Sequence, residues 1–106
     1  MFEVLDGNRI RITQGDTGVL RYVPQTSRVF TEKDSAVFTA RKRNGEQLVK
    51  LTLVPDASGA VRVPFTHEVT KAWPDGRHEW QIRYFFGDDE VSTPMETGVL
   101  DVLRAV

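Results

Sequence analysis

Cysteine is absent from the 106 residues. That one absence excludes disulfide bridges, thiolate zinc sites and cysteine nucleophiles together. Histidine is scarce, with only His67 and His78. A zinc site wants further His or carboxylate ligands at short, regular spacing, and His67-Glu68 has no such company, so no metal is expected. An excess of one charge is missing too: 14 basic and 15 acidic residues leave a formal net charge of -1. Proteins that neutralise nucleic-acid phosphates carry a basic excess, so nucleic acid is not the expected partner. No run approaches the ~20 apolar residues of a membrane helix, which excludes a helical span. Met1 to Asp6 shows no basic stretch leading into an apolar one, so no signal peptide is expected.

The catalytic motifs are missing as well. There is no Walker loop, no dinucleotide glycine pattern, and Ser27, Ser35, Ser58 and Ser92 stand in no Gly-x-Ser-x-Gly frame. Asp16-Thr17-Gly18 has the letters of an aspartic-protease loop, but that chemistry needs a second aspartate in a matching loop to share the proton. Asp88-Asp89-Glu90 is acidic enough to suggest calcium, yet calcium loops place carboxylates at alternate positions. Three consecutive acids after Gly87 read as a solvated hairpin tip. No cofactor is implied.

What is present is a period of two. The 40% apolar content suits one globular core, and residues 1–106 are read as a single domain. Arg9 to Thr13 alternates polar and apolar, Gln14-Gly15-Asp16 turns, and Thr17 to Val23 resumes as a strand. Ser35 to Lys42 puts Ala36, Phe38 and Ala40 on one face. Asn44-Gly45 is a strong hairpin signal, leading into Leu48 to Leu53. Ala60 to Pro64 follows a Pro-Asp-Ala-Ser-Gly turn. Thr66 to Trp73 is the single helical candidate, with Thr66 as N-cap. Arg77 to Phe86 sets His78, Trp80, Ile82, Tyr84 and Phe86 on one face. Glu90 to Thr93 reads as a short strand stopped by Pro94, and Thr97 to Arg104 closes the chain. About seven to nine short strands with turn chemistry between them predict an all-β antiparallel sandwich, with at most one short helical turn.

Two groups of residues stand out for recognition. Arg41-Lys42-Arg43 is the cationic cluster, and alternation along a strand parts Lys42 from Arg41 and Arg43. Arg41 and Arg43 either contact an acidic partner or keep a hairpin end soluble. Trp73, in a loop before Pro74, and Phe85, on the polar face of its strand, either anchor an interface or cover an end of the core.

Asp75-Gly76-Arg77-His78-Glu79-Trp80 is similar to the corner of immunoglobulin-type sandwiches. His78 stands where the corner Tyr usually is, able to make the corner hydrogen bond. Trp80 stands where the second Cys usually is, filling disulfide space. The similarity implies an immunoglobulin-like antiparallel sandwich as the fold class. Four segments also resemble, in order, the N-terminal domain of phage baseplate upper proteins. They are Gln14 to Gly18 with its Gly-Asp-Thr turn, Lys33 to Lys42, Pro74 to Tyr84, and Thr93-Pro94 with Thr97 to Val102. The resemblance implies a non-enzymatic building block of a phage or prophage tail or baseplate. It would dock on other virion proteins or on itself, assembled in the host cytoplasm. Larger members of that family continue into trimerisation and receptor-binding parts, and those functions do not transfer to these residues. A different class is a carbohydrate-binding sandwich, which would need exposed aromatics in a row.

Overall fold

The computed structural model describes residues 1–25, 28–87 and 91–105, and of residues 91–95 the backbone alone. The acidic Asp88-Asp89-Glu90 tip and Ser27 lie outside these residues. The elements are β1 (Phe2–Leu5), β2 (Arg9–Thr13), β3 (Gly18–Tyr22), β4 (Ser35–Arg41), β5 (Gln47–Leu53), β6 (Val61–Phe65), α1 (His67–Thr70), β7 (Gly76–Phe86) and β8 (Val91–Leu103). They form an all-β sandwich. One sheet has six strands in the order β1-β2-β8-β7-β4-β5, and the other pairs β3 with β6. The run β8-β7-β4-β5 has the strand order of the larger sheet in variable-type immunoglobulin sandwiches.

Alternation explains the layering. On β7, His78, Trp80, Ile82 and Tyr84 are buried while Glu79 and Phe85 face outward. From β4 come Ala36, Phe38 and Ala40, from β2 Ile10 and Ile12, and from the small sheet Leu20, Val61, Val63 and Phe65, all in one core. Aromatic rings chain through it. Phe65 contacts Phe2, Phe38 and Trp73, and Phe38 stacks on Trp80 at 5.9 Å. Each such buried large side chain contributes roughly 1.5–3 kcal/mol.

The sequence expectation of an antiparallel sandwich needs one correction. β2 and β8 run parallel, with Ile10 beside Leu100 and Ile12 beside Val102. The β1–β2 hairpin has turned the chain before β2, so β2 enters the sheet beside the last strand in the same direction. The Asn8 carbonyl accepts from Val99 N–H at 3.2 Å at one end of the pair, and Gln14 N–H donates to the Leu103 carbonyl at 2.9 Å at the other. β1 itself, Phe2–Leu5, was not expected as a strand.

A second correction concerns Pro94. It does not end a strand, because β8 runs unbroken from Val91 to Leu103. Proline lacks the N–H a ladder needs, so it survives at edges and bulges. Here β2 pairs only with residues from Val99 onward, and the register against β7 shifts between Ile82 and Arg83, next to Arg83's pairing with Pro94.

The Asn44-Gly45 hairpin forms with Gly45 alone in the left-handed region, at φ 91°. Gly45 N–H bonds the Lys42 carbonyl at 2.9 Å, Lys42 N–H bonds the Glu46 carbonyl at 2.8 Å, and Asn44 Oδ1 accepts from Glu46 N–H at 2.9 Å. This is a three-residue turn closed by a glycine bulge, which needs positive φ at one position only. The short helix is where the sequence put it. Thr66 Oγ1 accepts from Val69 N–H at 3.3 Å as its cap.

Candidate functional site

The corner forms as a hydrogen-bonded unit. His78 is 6% exposed, and its Nε2 lies 2.7 Å from the Pro74 carbonyl. A carbonyl accepts, so Nε2 carries the proton and the ring is held in that tautomer. Its Nδ1 is buried with no protein partner. Trp80 donates from Nε1 to the Asn8 carbonyl at 3.0 Å, which ties β7 to the β1–β2 turn. Gly76 opens β7 opposite Val102. These three residues serve the frame.

Trp73 is a correction to the interface expectation. It is 2% exposed, packs edge-on against Phe65 at 5.7 Å, and its carbonyl accepts from Gln14 Nε2 at 2.8 Å. The helical turn and Pro74 fold the loop inward, so the ring closes the core. Phe85 does stand outside, 40% exposed, on the outer face of the six-stranded sheet. Arg41 shares that face, opposite Glu79, while Phe85 pairs with Ser35 at the other end of β4. Six residues of strand, about 20 Å, part them, so they do not form one patch. Arg43 is exposed on the hairpin turn, and Lys42 is taken up by Glu46 at 2.9 Å. His67 uses Nδ1 to hold the Gly15 carbonyl at 2.7 Å, and Thr70 Oγ1 donates to the Asp16 carbonyl at 2.7 Å. The Gly15-Asp16 backbone is thereby pinned just ahead of β3, which begins at Gly18. Among the described residues no group of three His, Asp or Glu side chains gathers as metal ligands.

The outer face of the six-stranded sheet is uncovered. On the interior strand β4, Val37 and Thr39 are nonetheless buried, lying between Arg83 and Gln81 of β7 and Thr52 and Lys50 of β5. Two adjoining depressions run along β7 and β8. One, of about 470 Å³, is lined by Thr39, Arg41, Glu79, Gln81, Thr97 and Val99 among others. The next, of about 420 Å³, is lined by Arg9, Arg11, Arg77, Asp101 and Leu103 with Gly76 and Val102. A third, also about 420 Å³, opens on the flank between β5 and β6 beside Arg21, Arg62 and Asp56.

Asp101 organises the second depression. Arg9 Nε donates to its Oδ2 and Arg77 Nε to its Oδ1 at 3.4 Å. Burial by itself would raise the carboxyl, but the guanidinium groups of Arg9 and Arg77 outweigh it and hold Asp101 below the usual carboxylate range. Arg9-x-Arg11 was visible as two cations on one strand face. That Asp101 and Arg77 join them depends on the parallel β2–β8 pair, which the sequence does not announce.

Two further perturbed groups, Asp34 and Tyr84, are structural. Asp34, 2% exposed, accepts from Thr31 N–H at 3.0 Å and Gly87 N–H at 3.1 Å, with Arg28 at 3.6 Å. The Thr31 bond leads in holding its carboxyl low. Tyr84 donates to the Gly59 carbonyl, and burial pushes its phenol far up. None of these groups sits opposite a second acid or base in a pocket.

No protein-family model matches this chain, and no curated protein does. Among solved structures, the fold is similar to part of a Bacteroides vulgatus protein named as a putative glycoside hydrolase, with TM-score 0.56 and 14% identity. The match covers 91% of this chain and 16% of that one. At that identity the likeness concerns the fold alone.

Proposed function

We propose that this domain is a non-enzymatic docking module of a phage or prophage tail or baseplate, acting through surface complementarity. The observation that carries docking is the uncovered outer face of the six-stranded sheet, a broad polar surface on rigid strands with Phe85 exposed at one end. Among the described residues, Asp34, His78, Tyr84 and Asp101 are engaged in framework bonds, which favours binding over chemistry. The phage-type resemblance supports the setting. Its segments fall on the turn after β2, the interior strand β4, and β7 with β8. Light scattering after gel filtration, across a range of concentrations, tests the reading. A discrete closed oligomer supports it, as virion parts are symmetric assemblies. A clean monomer that also binds no co-expressed neighbouring gene product overturns it.

The likeness to part of a glycoside hydrolase favours a second reading, a carbohydrate-binding module. Burial of Trp73 removes half of the aromatic pair that this reading used. Retention on a polysaccharide affinity gel, lost in Phe85→Ala, would support it.

A further inference from the structure

We propose that the depression formed by Arg9, Arg11, Arg77 and Asp101 binds the carboxylates of an extended acidic segment of a partner protein. The inference rests on the docking reading and names its chemistry.

Two guanidinium groups share one carboxylate here, and a third stands beside it. Arg9 and Arg77 both reach Asp101 through Nε, and their Nη groups bond no described residue. Each guanidinium has five donors in a planar fork, so each keeps the pair of N–H groups that matches a carboxylate. Asp101, with its side chain 13% exposed, fixes the direction of both forks. Holding the forks in advance lowers the ordering cost of binding.

Arg11 stands beside Asp101 in the parallel ladder and opposite Glu3 of β1. It makes no ion pair with either, since Asp101 is claimed by Arg9 and Arg77. Counting Glu3 and Asp101 against the three arginines still leaves the site positive. The whole face agrees, because Arg41, Lys50 and Arg83 lie on it and Glu79 is the one further acid on its described strands β4, β5 and β7. Yet the chain totals -1, so this basic bias is local and the rest of the molecule is acidic. A nucleic acid would feel that whole-molecule charge along its length, whereas a short acidic segment meets only the face.

The spacing also fits. Arg9 and Arg11 are two residues apart on a strand, about 6.6 Å. An extended Glu-x-Glu segment repeats its carboxylates at that same pitch, so a segment laid along β2 meets both arginines in register.

The test is an NMR titration of the arginine Nε–Hε signals of the full 106-residue chain. The probes are a synthetic peptide alternating Glu and Ser, its Gln-Ser counterpart, inorganic phosphate and oligothymidylate. The expected result is that the Glu-Ser peptide shifts the Arg9, Arg11 and Arg77 signals and the Gln-Ser peptide does not. Arg11→Gln weakens binding about three- to fivefold, as for one exposed ion pair, while Arg43→Gln on the hairpin turn leaves it unchanged. Affinity falls from about 20 to about 200 mM salt as the screening length shortens. A well-dispersed spectrum shows that each variant folds. Absence of shifts, equal loss in Arg43→Gln, response to phosphate alone, or tighter binding of oligothymidylate overturns the proposal. A closed oligomer in the scattering experiment together with a silent titration sinks this site and leaves the docking reading standing.

Discussion

Gly98 carries a steric test of the sandwich. It lies on β8 opposite Trp80 of β7, and the indole lies directly over it. A Cβ built there would fall 2.6 Å from Trp80 Nε1 and would overlap the Asn8 carbonyl oxygen. That oxygen is a backbone atom accepting two hydrogen bonds, from Trp80 Nε1 at 3.0 Å and from Val99 N–H at 3.2 Å. Neither neighbour can yield without giving up a bond. Overpacking a well-packed site costs about 1–3 kcal/mol, and the larger end applies where backbone must shift. Losing the two hydrogen bonds adds about 0.5–1.5 kcal/mol each. Gly98→Ala should therefore cost about 4–6 kcal/mol, a large part of the ~5–15 kcal/mol typical of a domain. The melting temperature should fall by at least about 12 °C. The assay is urea unfolding followed by tryptophan fluorescence, with a thermal scan beside it. Gly45→Ala is the control. Nothing lies within 4 Å of a Cβ there, and the cost is the left-handed backbone alone, about 1–2 kcal/mol. A Gly98→Ala protein within 1 kcal/mol of the parent, or no worse than the control, would refute the close approach of Trp80 and β8.

Further outcomes follow from other residues. Trp73→Ala should lose about 3–5 kcal/mol as a core deletion, whereas Phe85→Ala should change stability by less than about 1 kcal/mol in urea titrations. His78→Phe keeps a ring of similar size but leaves the Pro74 carbonyl unbonded, so calorimetry should show a loss of about 1–3 kcal/mol. Asp34→Ala leaves the Thr31 and Gly87 N–H groups without their acceptor and should cost about 2–3 kcal/mol at neutral pH. The sign with pH is set by the depressed carboxyls of Asp34 and Asp101. Their stabilisation is complete above the unfolded carboxylate pKa, near ~4, and is lost as pH falls through the lower folded value. Stability measured from about pH 5 down to pH 2 should drop in the parent and drop less in Asp34→Asn; an identical slope would show that Asp34 is not held low.

Local chemistry made much of this fold readable. Alternation along β7 assigned its buried face residue by residue, because a strand has no freedom to put Trp80 and Glu79 on the same side. Thr66 announced a helix start, and Asn44-Gly45 announced a hairpin. The corner was readable too: the residue spacing after Gly76 placed His78 where its ring reaches back to Pro74. What stayed hidden depends on neighbours distant in sequence. Trp73 sits in a loop, and loop residues lack a period that says inside or outside; its burial follows from where Phe65 and Gln14 lie. Pro94 was read as a stop because an interior strand would reject it, and only the sheet reveals that β2 begins to pair with β8 beyond that point, at Val99. The arginine site is the clearest case. The sequence by itself determined that Arg9 and Arg11 share a strand face, and that β4, β7 and β8 are strands of a sandwich. Tertiary structure alone decided that β2 lies parallel to β8, and so brings Asp101 and Arg77 to those two arginines. Side-chain alternation is a property of the single strand, while the partner and direction of a strand are settled by packing across the whole chain.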